Sequence, residues 1–266
     1  MTQPGLNDRT RAALQRLVLA LADDEFVLGH RDSEWTGHGP ILEEDIAFSN
    51  IAQDEIGHSL VWYNMYQELA GPKPDQMAFK RPWKEFTCCQ FVEYPKNDFA
   101  YTVVRQFLFD MAEEVRLRDL ATSSYKPLAG AAARISNEES YHRLHLQSLI
   151  ERLGSATAES IRRMQAAVDT AFPQAICMFE PLEDERELIS SGIFAGNAVH
   201  QGEWLEAVKR VIGKTALKLP LDIENGKARS LQGTGYGGRR NSHTPHLKAL
   251  VDDLQTVLST APDSQW

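Results

Sequence analysis

The sequence predicts an all-α fold, a four-helix bundle with additional C-terminal helices. Three observations predict it: apolar residues recur at helical spacing along most of the chain, the candidate helices fall into two pairs separated by a longer Pro-rich stretch, and no segment alternates with the two-residue period of a strand. At 266 residues the chain suits one large helical domain, with a core bundle over about 8–153 and a helical layer over about 155–260.

Leu14, Leu17, Val18, Leu21 and Phe26 mark the first helix, and Ile46, Ile51, Ile56, Leu60 and Tyr63 the second. Between them, His30 to Pro40 is rich in Gly and polar residues and closes on a proline suited to a helix start, so it reads as a connection. A longer connection from about Gly71 to Lys96 carries Pro72, Pro74, Pro82 and Pro95. Phe99–Ala121 and Leu128–Leu153 then form a second pair, joined by a short loop near Ser123 to Pro127. Two antiparallel pairs with a long crossover are the layout of a ferritin-like bundle, whose interior commonly holds metal. Ala158–Ala171, Glu185–Ile212 and His246–Ser259 read as amphipathic helices packed around it, and Thr215–Asn241 as a long irregular loop.

A surplus of 37 acidic over 28 basic residues argues against nucleic acid as a partner, because phosphate binding needs a concentrated basic face. The apolar run Leu17–Ala22 ends at once in Asp23-Asp24-Glu25, so it builds neither a signal peptide nor a membrane span, and a cytoplasmic location is expected. Cys88, Cys89 and Cys177 form no Cys-x-x-Cys pair and read as reduced, structural thiols. The Gly233–Gly238 segment lacks the Lys-Ser/Thr of a phosphate loop; Arg239 and Arg240 beside it are candidates for contact with an anionic substrate or a partner.

Glu-x-x-His occurs twice, as Glu55-Ile56-Gly57-His58 and Glu139-Ser140-Tyr141-His142, each preceded by a further acid, Asp54 or Glu138. A spacing of three puts both side chains on one helix face, where they can share an ion. Random placement of these residue types gives roughly 0.6 such motifs, so one alone would mean little. Two, at matching places in two helix pairs, mean more. Such a centre also needs one carboxylate from each remaining helix. Glu25 precedes Glu55 by 30 residues and Asp110 precedes Glu139 by 29, so each half repeats acid, turn, Glu-x-x-His. On the third helix Glu113 and Glu114 compete for this place; Glu114 shares a stripe with Asp110, and the interval favours Asp110 with Glu114 in reserve.

Any one of these acids is more simply read as a solvated helix face paired with Arg116, Arg118 or Arg143. The conjunction reverses that reading, because four carboxylates and two neutral imidazoles balance two ferrous ions, whereas the same carboxylates buried without metal would take up protons. Oxygen ligands with one imidazole per ion and no thiolate suit iron, with manganese admitted in one site. His145 reads as a neighbour of the site or a surface residue; His30, His38 and His200 lack ligand spacing; Trp35 and Trp62 read as core or interface aromatics.

At these residues the chain resembles the phenylacetyl-CoA epoxidase subunit family over nearly its whole length. Leu28 to Ala47, and the end from Gly238-Arg239-Arg240 through His243-Thr244-Pro245-His246-Leu247, are similar to the C-type member of that family. In its well-known versions the C-type member has lost the iron ligands and supports the catalytic, A-type member. Here Gln53 to His58 and Glu138 to His142 look like the A-type ligand motifs, and Glu25 and Asp110 fall where the remaining A-type ligands fall.

The resemblance thus implies a C-type chain with an A-type metal site. Glu25, Glu55, Asp110 and Glu139 would bridge or chelate two irons, His58 and His142 would each bind one, and the site would insert one atom of dioxygen into the ring of an aromatic acyl-CoA. The chain has no flavin or iron–sulfur motif, so a separate reductase is expected, together with a second helical subunit in a homo- or hetero-oligomer. A C-type scaffold without catalysis is the alternative. A ferritin-like iron or peroxide oxidase ranks last, because the C-terminal layer exceeds what a storage bundle needs.

Overall fold

The computed structural model describes residues 6–221, 223–224, 227–228 and 235–261. Four long helices carry the site: α1 (Asp8–Ser33), α2 (Leu42–Glu68), α5 (Phe99–Leu120) and α6 (Lys126–Leu153). The crossover holds α3 (Pro74–Phe79), a 3₁₀ turn at Trp83–Glu85 and α4 (Gln90–Glu93). After the bundle come α7 (Ala158–Ala175), a 3₁₀ turn at Ile176–Phe179, α8 (Glu185–Ser190), α9 (Asn197–Ile212), a 3₁₀ turn at Gly238–Arg240, α10 (Pro245–Leu254) and α11 (Thr256–Thr260). The architecture is the all-helical, ferritin-like bundle with extra C-terminal helices that the periodicity predicts.

Each bundle helix starts where its sequence allows. Asn7 caps α1 by accepting from the Thr10 amide at 2.8 Å, and Asp98 caps α5 through the Tyr101 amide at 2.9 Å. Pro127 sits in the first turn of α6, where its missing N–H leaves nothing unpaired. The inward stripe of α6 runs Leu128, Ala132, Ile135, Glu139, His142, Leu146, Leu149, alternating steps of four and three. The stripe of α2 runs Glu44, Phe48, Ile51, Glu55, His58, Trp62, Met65 in the same rhythm. In both helices a Glu and a His thus replace two successive core hydrophobes. Helix α5 is buried almost all round, because α6, α7 and α9 all pack against it; the Trp204 indole of α9 donates to the Leu108 carbonyl at 3.0 Å and stacks on Phe172 of α7.

Several boundaries differ from expectation. Helix α1 continues through His30 to Ser33, since Arg31 and Asp32 are held by tertiary partners that offset the polar sequence: Arg31 donates to the Glu93 and His246 carbonyls, and Asp32 accepts from Arg105. His30 is therefore helical, packed edge-on against Phe26. The stretch Glu185–Ile212 breaks into α8 and α9 at Gly192 and Gly196, both at positive φ. His246–Ser259 divides at Gln255 into α10 and α11. Within Thr215–Asn241, Ile223–Glu224 and Lys227–Ala228 pair as a minimal antiparallel ribbon. Residues 222, 225–226 and 229–234, including Gly233, lie outside the described residues.

Arg239 corrects the expectation of an anion contact. Its guanidinium is buried against Asp24 of α1, with Nη2 at 2.6 Å and Nη1 at 2.8 Å from the two carboxylate oxygens, and it also reaches the Thr87 carbonyl. The turn that brings it there passes so close to the chain that a Cβ on Gly238 would collide with the Cys88 carbonyl oxygen. Arg240 pairs with the buried Glu180 at 2.8 Å while most of its own side chain faces solvent. The three cysteines are buried and free, as expected. Among the described residues no helix is long and apolar enough to cross a membrane.

Candidate metal centre

The stripes of the four helices meet at six buried side chains: Glu25 from α1, Glu55 and His58 from α2, Asp110 from α5, Glu139 and His142 from α6. Ligand atoms of Glu55, Asp110, Glu139 and His142 all lie within 4.8 Å of one another, and so do those of Glu25, Glu55 and His58. Glu139 Oε1 stands between the halves, 3.3 Å from His58 Nδ1 and 3.3 Å from His142 Nδ1. Glu114, the reserve residue of the third helix, lies outside this cluster, its Oε2 3.7 Å from Arg143 Nε. His145 is likewise outside, with Nε2 3.0 Å from Glu44 Oε2.

The acids preceding the two motifs work crosswise. His58 of α2 points Nε2 at Glu138 of α6, 2.7 Å away, and His142 of α6 points Nε2 at Asp54 of α2, 3.1 Å away. Each imidazole is thereby turned so that Nδ1 faces the cluster, the arrangement by which an outer carboxylate orients a ligating histidine. Two further residues hold the ligands: Gln106, absent from the sequence expectations, and Trp62, expected as a core or interface aromatic. The Gln106 amide donates to Glu55 Oε1 at 2.7 Å and to Asp110 Oδ1 at 2.8 Å, and the Trp62 indole donates to Glu25 Oε1 at 3.0 Å. Helical spacing was the available clue, since Gln106 precedes Asp110 by four and Trp62 follows His58 by four. Gly29 lets α1 and α2 approach here: a Cβ would lie 3.0 Å from that of Glu55.

Charge pairing separates these acids from every other buried carboxylate described. Asp23 has Arg81, Asp24 has Arg239, Asp32 has Arg105, Glu113 has Arg116, Glu180 has Arg240, Glu44 has His145 and Glu93 has His243. The four cluster carboxylates share only two imidazoles. Glu25 Oε2, Glu55 Oε2, Asp110 Oδ2, both Glu139 oxygens and Nδ1 of both histidines have no hydrogen-bond partner. Buried polar atoms left unpaired are unfavourable, and atoms converging from four helices in this donor set fit two divalent cations. The arginines suspected of neutralising the cluster are engaged elsewhere: Arg116 with Glu113, Arg118 with Glu203 and Arg143 with Glu114.

A second grouping, Cys88, Glu93 and His243, lacks this character. His243 Nδ1 lies 2.7 Å from Glu93 Oε1 and Nε2 lies 2.7 Å from the Phe86 carbonyl, so both ring nitrogens already have hydrogen-bond partners, unlike the inward nitrogens of His58 and His142.

Without cations the centre holds protons. Burial pushes Glu25, Glu55 and Asp110 well above the usual carboxylate range, reinforced by the neighbouring acids. Burial opposes charge on His58, yet contact with Glu139 and the nearby carboxylates outweigh it and raise the imidazole to about 9. Burial likewise opposes charge on His142, and its contacts with Asp54 first and Glu139 next raise it, while burial of Glu139 is overcome by its two histidines, which keep it ionised. Loading divalent metal must therefore displace protons, so affinity for Fe²⁺ is expected to rise with pH between about 6 and 8. Titration in weakly buffered solution should show proton release on Fe²⁺ addition; uptake without release would contradict the protonated resting cluster.

Comparison with known proteins places this construction in a family. A family model described as phenylacetic acid catabolic protein matches residues 2–266. The chain is 30% identical over 254 residues to the C component of 1,2-phenylacetyl-CoA epoxidase from Escherichia coli (strain K12), covering 95% of this chain and 99% of that one. It is 26% identical over 182 residues to the A component of the same epoxidase, covering 68% of this chain and 59% of that one. With the match extending over nearly every residue, the chain belongs to the phenylacetic acid catabolic protein family.

Proposed function

We propose that this chain is the di-iron oxygenase component of a phenylacetyl-CoA epoxidase-like monooxygenase. One atom of dioxygen enters the ring of an aromatic acyl-CoA as an epoxide, and the other leaves as water with two protons and two electrons from a separate reductase. The observation that carries this reading is the set of four buried carboxylates without an arginine or lysine partner, facing two imidazoles whose outer nitrogens are already engaged.

Glu25, Glu55, Asp110, Glu139, His58 and His142 would hold the two irons, with manganese admitted in one position. Bound iron would supply the activation of dioxygen and the redox chemistry. The chain's own work is to hold these ligands: Gln106 fixes Glu55 and Asp110, Trp62 fixes Glu25, and Asp54 and Glu138 set the imidazole planes. Phe107, Met111 and Ile135, buried on the same two helices as Asp110 and Glu139, are candidates to line a substrate pocket. Exposed Leu42, Ile46 and Leu60 on α2 and Tyr141 and Leu144 on α6 are apolar surface suited to a second helical subunit.

A second reading, a supporting C-type role, is favoured by one observation: the match to the C component spans both chains almost end to end, whereas that to the A component does not. The substitution Glu55→Ala separates the two. For an oxygenase, epoxidation of phenylacetyl-CoA by the reconstituted complex should fall at least about a thousandfold while assembly of the complex survives. Undiminished turnover with intact stoichiometry would leave the supporting role.

A further inference from the structure

The six cluster residues are closed off from solvent, yet an ion has to reach them. On the face between α2 and α6 the rings of His58 and His142 stand in the way, held by Glu138 and Asp54. Between α5 and α6 the situation differs. A cavity of about 420 Å³ is lined by Glu114, Arg118, Ala133, Ser136 and Arg143, and its wall includes Glu139. Glu139 is the most exposed of the six, at 4% against 2% or less for the others, and neither of its oxygens has a hydrogen-bond partner. Glu114, Arg118 and Arg143 also line an outer groove of about 620 Å³ that α9 completes. These three residues therefore stand where the two openings meet.

We propose that the α5/α6 passage is the route by which ferrous ions reach the cluster, and that the Glu114–Arg143 pair sets the charge at its junction. The inference rests on the reading that the chain binds iron. Arg118 is neutralised by Glu203, which leaves Glu114 and Arg143, 3.7 Å apart, as the opposing charges lining the smaller opening beside Glu139. A cleft with low-dielectric walls focuses such charges and changes the local concentration of a cation. While the pair is intact the two charges nearly cancel. Arg143 follows His142 directly and lies one turn beyond Glu139, so its bare charge would repel an arriving cation; bare Glu114 would attract one. Ala133 and Ser136, which lie before Glu139 on α6, are too small to block the way.

The test uses the full-length apoprotein mixed anaerobically with Fe²⁺, with uptake followed by competition with a chromophoric chelator. Arg143→Gln should accelerate uptake and Glu114→Gln slow it, each by about threefold or more, with both effects shrinking as salt is raised. The final number of ions per chain should not change, and Glu159→Gln on α7 should leave the rate alone. Ser136→Trp, which narrows the opening, should slow uptake and release together and serves if either charge variant fails to fold. Unchanged rates in these variants, with two ions still bound per chain, would overturn the route. A wild-type chain that takes up no Fe²⁺ would instead defeat the metal-site reading.

Discussion

Glu139→Ala is expected to abolish binding of both metal ions, whereas Asp110→Ala should spare one. Glu139 Oε1 lies at the same 3.3 Å from Nδ1 of His58 and of His142, so it serves both halves of the centre. Asp110 belongs only to the half built with Glu55, Glu139 and His142. Removing Glu139 also takes away the one carboxylate that meets both inward imidazole nitrogens, leaving each ring held only from its outer side, by Glu138 or Asp54. Elemental analysis after anaerobic loading decides the matter: about two irons per chain in the parent, close to none in Glu139→Ala and about one in Asp110→Ala. Equal losses in the two variants would show that the centre does not divide in this way.

Arg239→Ala is expected to be strongly destabilising although it lies outside the metal centre. It would leave Asp24 fully buried with no cation, a situation that costs about 3–5 kcal/mol. At roughly 2–4 °C per kcal/mol for a chain of this size, thermal unfolding should drop by on the order of 10 °C. Arg240→Ala is the control. Its side chain is 73% exposed, so water takes its place, and buried Glu180 keeps the Gly237 amide at 2.7 Å, so the loss should be smaller than for Arg239. Similar melting shifts for the two arginines would remove the distinction drawn from their burial. Asp24 directly precedes Glu25, so the Arg239 variant should also bind iron more weakly.

Much of the centre could be read from spacing. Glu55, His58, Glu139 and His142 interrupt runs of core residues at steps of three and four, and a helix turns such steps into a single face whatever packs against it. Glu25 and Asp110 followed from the repeated interval, because an antiparallel pair returns to the same level after equal lengths of chain. The choice among Asp110, Glu113 and Glu114 could not be made locally. Successive residues differ by about 100° around a helix, and the rotation of α5 is set by α6, α7 and α9 together. That rotation sends Asp110 into the cluster, buries Glu113 against Arg116 and turns Glu114 toward Arg143.

Gln106 and Trp62 stayed hidden for a different reason. An amide or an indole one turn from an acid or a histidine is common in any helix, and only the position of Glu55 and Glu25 across the bundle gives these two a role. Arg239 shows the opposite failure. Beside a Gly-rich stretch it looks like a solvent-facing cation, but its partner lies 215 residues earlier in the chain.

By itself the sequence determined the all-helical bundle, the extents of its four long helices apart from the C-terminal extension of α1, and the six residues of the candidate centre, because each depends on local periodicity or on an interval along the chain. Tertiary structure alone decided where the neighbouring acids Glu113 and Glu114 of α5 point, which acid orients which histidine, and which arginine is buried. Those outcomes depend on the relative rotation and contact of helices distant in sequence. A burial-driven charge has no preferred partner until packing brings one within reach.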